Sequence, residues 1–528
     1  MPVFTLAMIM LIFGVSAPLH AAKFHCSSGD VTCLIAAINK ANHTGGPHAI
    51  FLDPGTYTLT LVDNDTDGPN GLPTIKNKMT IESDPPHSVT IERDPASEQF
   101  RPFHVSPGGE LELRFLRLQD GVVPFGQVGG TLFNRGTATL FGVVVRENVA
   151  VGENDMITNA GNLVIFQSSI EDSSVPGHSG LISNSGDAKI VESSIKGNAH
   201  IAPIIRNKVD SAFGSLHLPP GTLVIQNSSI TENQSDSATI YNPGGTLTLT
   251  NTTVGNNLGR VGGGGGVATD SGGVTSLLNS TISRNTAELN ETSGLVNIDG
   301  TVNVKNSIIA LNKKGIAGTP ADCAGEITSL GNNLIGDTTT LFPPCVISLQ
   351  PTDLTGDPRL GALADNGDPG NGHFPLLSDS PAIGSGDSGA CPKADQLGFF
   401  RVATCDMGAV EFQPGPLGIV LDFQPHDPKN TINLHSRGDI DVAILGSTSF
   451  DARAIDPETV RFGSNQASSN DRKGHLRDVN GDGFDDLILR FSVSDSGIQC
   501  GDKNVLISGE TFNGQAIQGS DFIQTIGC

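Results

Sequence analysis

Residues 131–312 nearly repeat themselves, and that repeat constrains the fold more than anything else in the chain. Each copy opens with a short apolar piece and a turn, as in Phe133-Asn134-Arg135-Gly136. A second apolar piece follows, then a small hydroxyl pair, an Ile or Val, and an Asn. The second halves read NLVIFQSSIED (162–172), AKIVESSIKGN (188–198), TLVIQNSSITEN (222–233), TLTLTNTTVGNN (246–257), VTSLLNSTISRN (274–285) and VNVKNSIIALN (302–312). The Ile or Val falls at Ile170, Ile195, Ile230, Val254, Ile282 and Ile308, in steps of 25, 35, 24, 28 and 26 residues. A period in that range means a solenoid, propeller or array.

The pieces are short, β-branched and alternating, which is strand character. Gly, Asn, Asp and Ser separate them. No copy carries a ten-residue amphipathic helix, and no leucine ladder is present. Two or three strands per turn of ~25 residues match a parallel β-helix, whose coils stack around one long core. Asn198, Asn233, Asn257, Asn285 and Asn312 recur once per turn. They suit a structural side-chain ladder at a bend, because Asn tolerates left-handed backbone.

Residues 30–42, DVTCLIAAINKAN, predict the one good helix. Leu34, Ile35, Ile38 and Ala41 are helically spaced, and Asp30 suits the N-cap. The strand, Pro54-Gly55 turn and strand of HAIFLDPGTYTL (48–59) would join it in capping the solenoid's open end. The coils are then expected to begin near FHVSPGGELEL (103–113).

Residues 3–15 are apolar but too short to span a membrane comfortably, and a small-residue segment ends at Ala22. This predicts a secretory signal over 1–22, cut near Ala21 or Ala22, although its start lacks Lys and Arg. No later stretch is long enough for a membrane helix. The formal charge of −24 argues against nucleic acid or an anionic membrane as partner.

Eight Cys form four near-neighbour couples. In an exported chain they favour sequential disulfides, Cys26–Cys33, Cys323–Cys345, Cys391–Cys405 and Cys500–Cys528. Zinc thiolates are the alternative, but no Cys-x-x-Cys spacing exists. Domain divisions follow: 23–125 as cap and first coils, 126–345 as β-helix repeats, 346–413 as the end of the β-helix, and 414–528 as a separate module. The last alternates apolar and polar residues without the repeat, which predicts a β-sandwich-like fold.

Two stretches carry a family resemblance. DVTCLIAAINKAN…FLDPGTYTL loosely resembles the start of secreted bacterial proteins with the CSLREA motif, with Ile35-Ala36 where that motif has Arg-Glu. SLGNNLIGD (329–337), DPRLGALADNGDPGNGHFPLLSDSPAIGSGD (357–387), DQLGFFR (395–401) and DMGAVEF (406–412) resemble choice-of-anchor Q proteins more closely. Leu397 stands where those have Arg. The resemblance covers about 26–412 and implies a right-handed parallel β-helix of the pectin-lyase-like kind on an exported bacterial protein. Many such proteins end in a surface-sorting signal, which this sequence lacks. Residues 417–528 resemble a recurrent secreted module with an Asp-Val-Asn-Gly-Asp-Gly core.

That core is the sharpest candidate site. Asp478, Asn480, Asp482, the Phe484 carbonyl and Asp486 place oxygen donors at loop positions 1, 3, 5, 7 and 9, with Gly483 at 6. A hard ion such as Ca²⁺ wants six to eight oxygens. Leu489 stands where an EF-hand has Glu, so this is a DxDxDG-type loop with Asp486 as the expected bidentate ligand, and an acidic turn without an ion is the alternative. Its calcium would be structural.

Catalytic residues are not assigned by sequence. Arg146/Glu147, Glu171/Asp172, Lys196, Glu232, Arg260, Asp270, Arg284 and Asp299 are scattered candidates that form no motif. Absent Trp and only two Tyr weaken a sugar-stacking platform. Gly262–Gly266 lacks the Gly-Lys-Ser/Thr of a phosphate loop and reads as a turn between coils. No Gly-x-Ser-x-Gly elbow is present, and Gly384-Ser385-Gly386 belongs to the family-like turn. The expectation is an exported, non-catalytic extracellular or surface scaffold for a glycan or surface-protein partner. The alternative is a polysaccharide lyase or glycoside hydrolase.

Overall fold

A computed structural model describes residues 22–44, 46–148, 155–175, 180–208, 219–260, 264–289, 293–315, 317–339, 344–401, 404–413, 415, 417–425, 427, 429–436, 438–447, 450–512 and 516–528. The expected signal segment therefore lies outside the described residues, apart from Ala22. The described chain divides into two compact units, one ending at Phe412 and one spanning Gln413–Cys528.

The first unit is a parallel β-helix of about 11 turns. One coil shows the plan. Ile182–Asn184 lies on one face and turns at Gly186 into the longer strand Asp187–Val191. A corner at Glu192 leads to Ser194–Lys196, and a second corner at Gly197 leads to Ala199–His200. Strands at equivalent places pair parallel and in register with the next coil. Ile170, Ile195, Ile230, Val254, Ile282 and Ile309 form one inward column. The expected last member, Ile308, instead pairs with Thr281. Ser307 takes the first hydroxyl place there, so Ile308 occupies the second and Ile309 points into the core. The face carrying this column holds 12 strands.

Strand burial alternates, as eBiBi does in Asn162–Phe166, because successive side chains point to opposite faces. The inward rows merge into one continuous core from Cys26 to Ile335. Burying each of these Leu, Ile and Val side chains stabilises the stack by roughly 1.5–3 kcal/mol before entropy is counted.

The helix forms as expected, at Val31–His43, and Asp30 accepts a hydrogen bond from the Cys33 amide at 2.9 Å. Leu34, Ala37, Ile38 and Ala41 close the solenoid end, while Ile35 is only half-buried. The expected capping strand pair is corrected. His48–Leu52 pairs with Lys23–Cys26 and Lys78–Ser83, whereas Gly55–Leu59 pairs with Val89–Arg93 on another face. They are consecutive sides of a true coil, so the coils begin about two turns earlier than expected. Gly55, at φ +146°, makes the corner.

The inner Asn ladder is present. Asn198, Asn233, Asn257, Asn285 and Asn312 each donate Nδ2–H to the Oδ1 of the next, at 2.9–3.0 Å, and Asn312 donates to Asp322. These asparagines are buried, and the left-handed residue is the one before each: Gly197, Glu232, Asn256, Arg284 and Leu311. A second ladder, Asn134–Asn159–Asn184–Asn207–Asn242, runs down another corner at 2.7–2.9 Å. Gly265 and Gly266 are also turn residues between coils. A Cβ on Gly266 would meet the Gly294 carbonyl at 2.1 Å. Gly262 and Gly263 lie outside the described residues.

All four sequential disulfides form. In the second unit, a four-stranded and a five-stranded sheet enclose one core. Phe462 of the larger sheet packs between Phe423 and Phe491 of the smaller, at 5.6 and 4.9 Å.

Candidate functional site

After Leu354–Thr355 adds its rung to the Ile-column face, residues 357–412 form no further strand among those described. They run back along that face instead. The docking rail is the left-handed corner that precedes it. Asn251, Asn279, Asn306 and Asn332 occupy this corner in successive coils, with φ between 45° and 58°. Each donates its side-chain amide to a carbonyl of the return segment: Ala394, Asp406, Asp387 and Ser385, at 2.7–3.2 Å. Asn is one of the few residues that tolerate this backbone while carrying an amide.

Residues 395–411 lock the segment. Arg401 pairs with Glu411 at 2.9 Å, both almost fully buried, and donates to Asn251 Oδ1 and to the Gly408 and Ala409 carbonyls. Asp395 caps the Leu397, Phe399 and Glu411 amides. Gln396 donates to the Gly370 and Gly372 carbonyls and accepts from Thr253. Burial pushes the Asp395 and Asp406 carboxyls above their usual range. Phe374 fits over Gly255, where a Cβ would come within 2.3 Å of the ring.

Toward the N-terminus the same corner carries different residues: His87, Phe115, Gly142, Gln167, Glu192 and Asn227. Here the return segment touches the corner only at its Glu192 and Asn227 rungs, through Gly370. A groove of about 530 Å³ lies between this column and residues 368–371 and 396–398. Phe115 is held over Gly142, where a Cβ would approach its ring within 2.5 Å. Its ring meets His87 edge-on at 5.3 Å and Phe141 at 4.9 Å, and Phe166 stacks on Phe141 at 5.4 Å. All three Phe rings are only partly buried. Gln167 donates to Glu192 at 2.8 Å. Gly370 closes one end, with its amide bonded to Ser194 Oγ at 2.8 Å.

Sequence reasoning missed this site. Phe141 and Phe166 hold the same register place one coil apart, and their 25-residue spacing equals the local period. That spacing could have separated them from core aromatics.

The scattered charged candidates are partly brought together. Arg146, Glu171 and Lys196 share one register column on the Ile-column face. Arg146 pairs with Glu147 at 2.8 Å and Lys196 with Asp365 at 3.1 Å. Arg284 lies under the return segment, donating to the Leu360 carbonyl and stacking on Phe374. Asp270 accepts from Tyr241. Asp172, Arg260 and Asp299 are exposed, and Glu232 is an exposed corner residue. A further polar cluster, missed in the sequence, joins Asp67, Arg101, His104 and Arg135. Burial, reinforced by Arg101, pushes His104 down to about 4, so it is neutral at pH 7.

In the second unit the loop from Asp478 wraps on itself. Asp478 accepts from the Gly481, Asp482 and Gly483 amides, and Asp482 from Phe484. Asp486 is buried and accepts from the Gly446 and Val479 amides, both at 2.8 Å. The donors Asp478, Asn480, Asp482, the Phe484 carbonyl and Asp486 are all oxygen, the chemistry that suits Ca²⁺. In this conformation no three acidic, His or Cys side chains share a metal-holding position among the described residues.

No family model matches the chain, and no curated protein matches it. The likeness of residues 329–412 to choice-of-anchor Q proteins is therefore carried by its motifs alone. Among solved structures, the chain is similar to pectate lyase Pel9A at 12% identity, over 75% of this chain and 98% of that one, with a TM-score of 0.40. It is also similar to the PL6 family alginate lyase AlyGC at 12% identity, over 75% of this chain and 61% of that one, with a TM-score of 0.24. At these scores neither bears on what this chain binds or does. No helix among the described residues is long and apolar enough to cross a membrane.

Proposed function

We propose that the chain is an exported, non-catalytic β-helix scaffold that holds an extracellular partner in the corner groove. The groove carries the reading. Phe115 is held by Gly142, His87 and Phe141, Gln167 is bonded to Glu192, and a buried ion pair and a disulfide brace the segment of the opposite wall, so a ligand would meet a preformed surface. Four disulfides support an oxidising compartment. The direct test is incubation of the folded chain with polyuronates and neutral glycans in millimolar calcium. Saturable retention without unsaturated products or new reducing ends is expected, and turnover of any polymer would overturn the non-catalytic reading.

A structural calcium in the second unit belongs to the same proposal. Asp478, Asn480, Asp482, Asp486 and the Phe484 carbonyl would hold it, and the bound ion would offset repulsion among the carboxylates. A ligand at a hundred times its Kd adds about 2.7 kcal/mol of stability. Chelator should lower the unfolding transition of this unit in the full chain, and Asp482→Ala should remove that sensitivity. An unchanged transition in chelator would refute the site.

A further inference from the structure

We infer that the corner groove takes an extended neutral glycan, not a polyuronate, with Phe115 as its stacking platform; this rests on the binding reading above. The chemistry of the walls selects the class. Glu192 and Asp368 supply the carboxylates that line the groove, and no Lys or Arg lines it among the described residues. A polyanion would bring like charge against both, on a chain whose formal charge is already −24. Neutral sugar hydroxyls need donors and acceptors, which Gln167, Asn227 and Asn371 offer beside Glu192. Sugar rings also need a flat apolar face. Phe115 supplies one, fixed by Gly142 beneath it and by His87 and Phe141 at its edges.

The shape selects an extended chain. His87, Phe115, Gly142, Gln167, Glu192 and Asn227 come from six successive coils, and rungs repeat every ~4.8 Å, so the column runs for roughly 24 Å. Gly370 covers its last two rungs, where a Cβ would come within 2.7 Å of the Asn227 carbonyl oxygen and 2.9 Å of the Glu192 carbonyl carbon, which leaves the four rungs from His87 to Gln167 for the ligand. The chain would thus lie along the solenoid axis with one terminus against the return segment.

The test is calorimetric titration of the full chain with hexasaccharides of glucose, mannose and xylose, and with hexamers of galacturonate and of alginate. Saturable binding of at least one neutral hexamer and none of either uronate is expected. Phe115→Ala and Gln167→Ala should each weaken it tenfold or more with the unfolding transition of the chain retained. Phe400→Ala removes a ring that is 82% exposed but outside the groove, and should leave affinity within twofold. Uronate binding lost with Phe115→Ala would overturn the class and leave the binding reading standing. Neutral binding indifferent to Phe115 and Gln167 would overturn the location. Silence with every hexamer would overturn this inference, and the binding reading would then fall only if protein partners also failed to be retained.

Discussion

One corner of the solenoid is built twice with opposite outcomes. From Asn251 to Asn332 it carries four asparagines, and their amides hold the return segment down. From His87 to Glu192 the same backbone position carries an imidazole, a ring, a glycine, an amide and a carboxylate, and a groove lies open. The backbone is the same left-handed corner in both halves. Regular stacking makes any corner available as a surface, and the side chains at it supply the bonds that hold a covering segment down.

Releasing the covered half should have the largest effect. Arg401→Met takes the guanidinium from the buried Glu411 carboxylate, and breaking a buried pair this way costs about 3–5 kcal/mol. Denaturant unfolding should show that loss, and limited proteolysis should cut first within 357–412. A loss below about 1 kcal/mol would mean the segment is not locked by this pair.

Two asparagines of one coil separate interior from exterior ladders. Asn285 donates to Asn312 and the Val254 carbonyl and accepts from Asn257. Asn285→Ala strands several buried groups at about 1–3 kcal/mol each, for an expected total near 3 kcal/mol. Asn279 bonds outward to the Asp406 carbonyl, and Asn279→Gly, which keeps the left-handed corner and removes the amide, should cost only about 1 kcal/mol while raising hydrogen exchange at Asp406–Gly408. Equal costs for the two would erase the distinction.

Between these lies a pH effect at the ladder's end. Burial outweighs three donated hydrogen bonds and raises the Asp322 carboxyl to about 6. Its stabilising contribution is greatest when protonated, below about pH 4, and is lost as pH rises through about 6. Moving a carboxyl from its ordinary 3.8 to about 6 makes that loss at most about 3 kcal/mol. Between pH 4 and 6.5, Asp322→Asn should flatten the stability profile relative to the parent. Parallel profiles would show that Asp322 does not titrate there.

Much of the solenoid was legible because its signals are local and periodic. The Ile column repeats within each coil, the inner Asn follows it by three residues, and Asp30 sits directly before its helix. One coil slipped by a residue because Ser307-Ile308-Ile309 offers two candidates for one inward place. Residues 346–413 were expected as the end of the β-helix, and the return of 357–412 along its face was not legible. Asn279 meets Asp406 across 127 residues, and no period connects them. The groove was hidden for the same reason: its column shares backbone geometry rather than residue type.

Hydroxyl-radical footprinting of the full chain tests the two-halves account most directly. Phe115, Phe141 and Phe166 should oxidise readily, while Met407 and Phe374, each at most 1% exposed, should react only after Arg401→Met frees the segment. Oxidation of Met407 in the parent as fast as that of exposed Phe400 would contradict the covered half, and with it the wall that makes the groove.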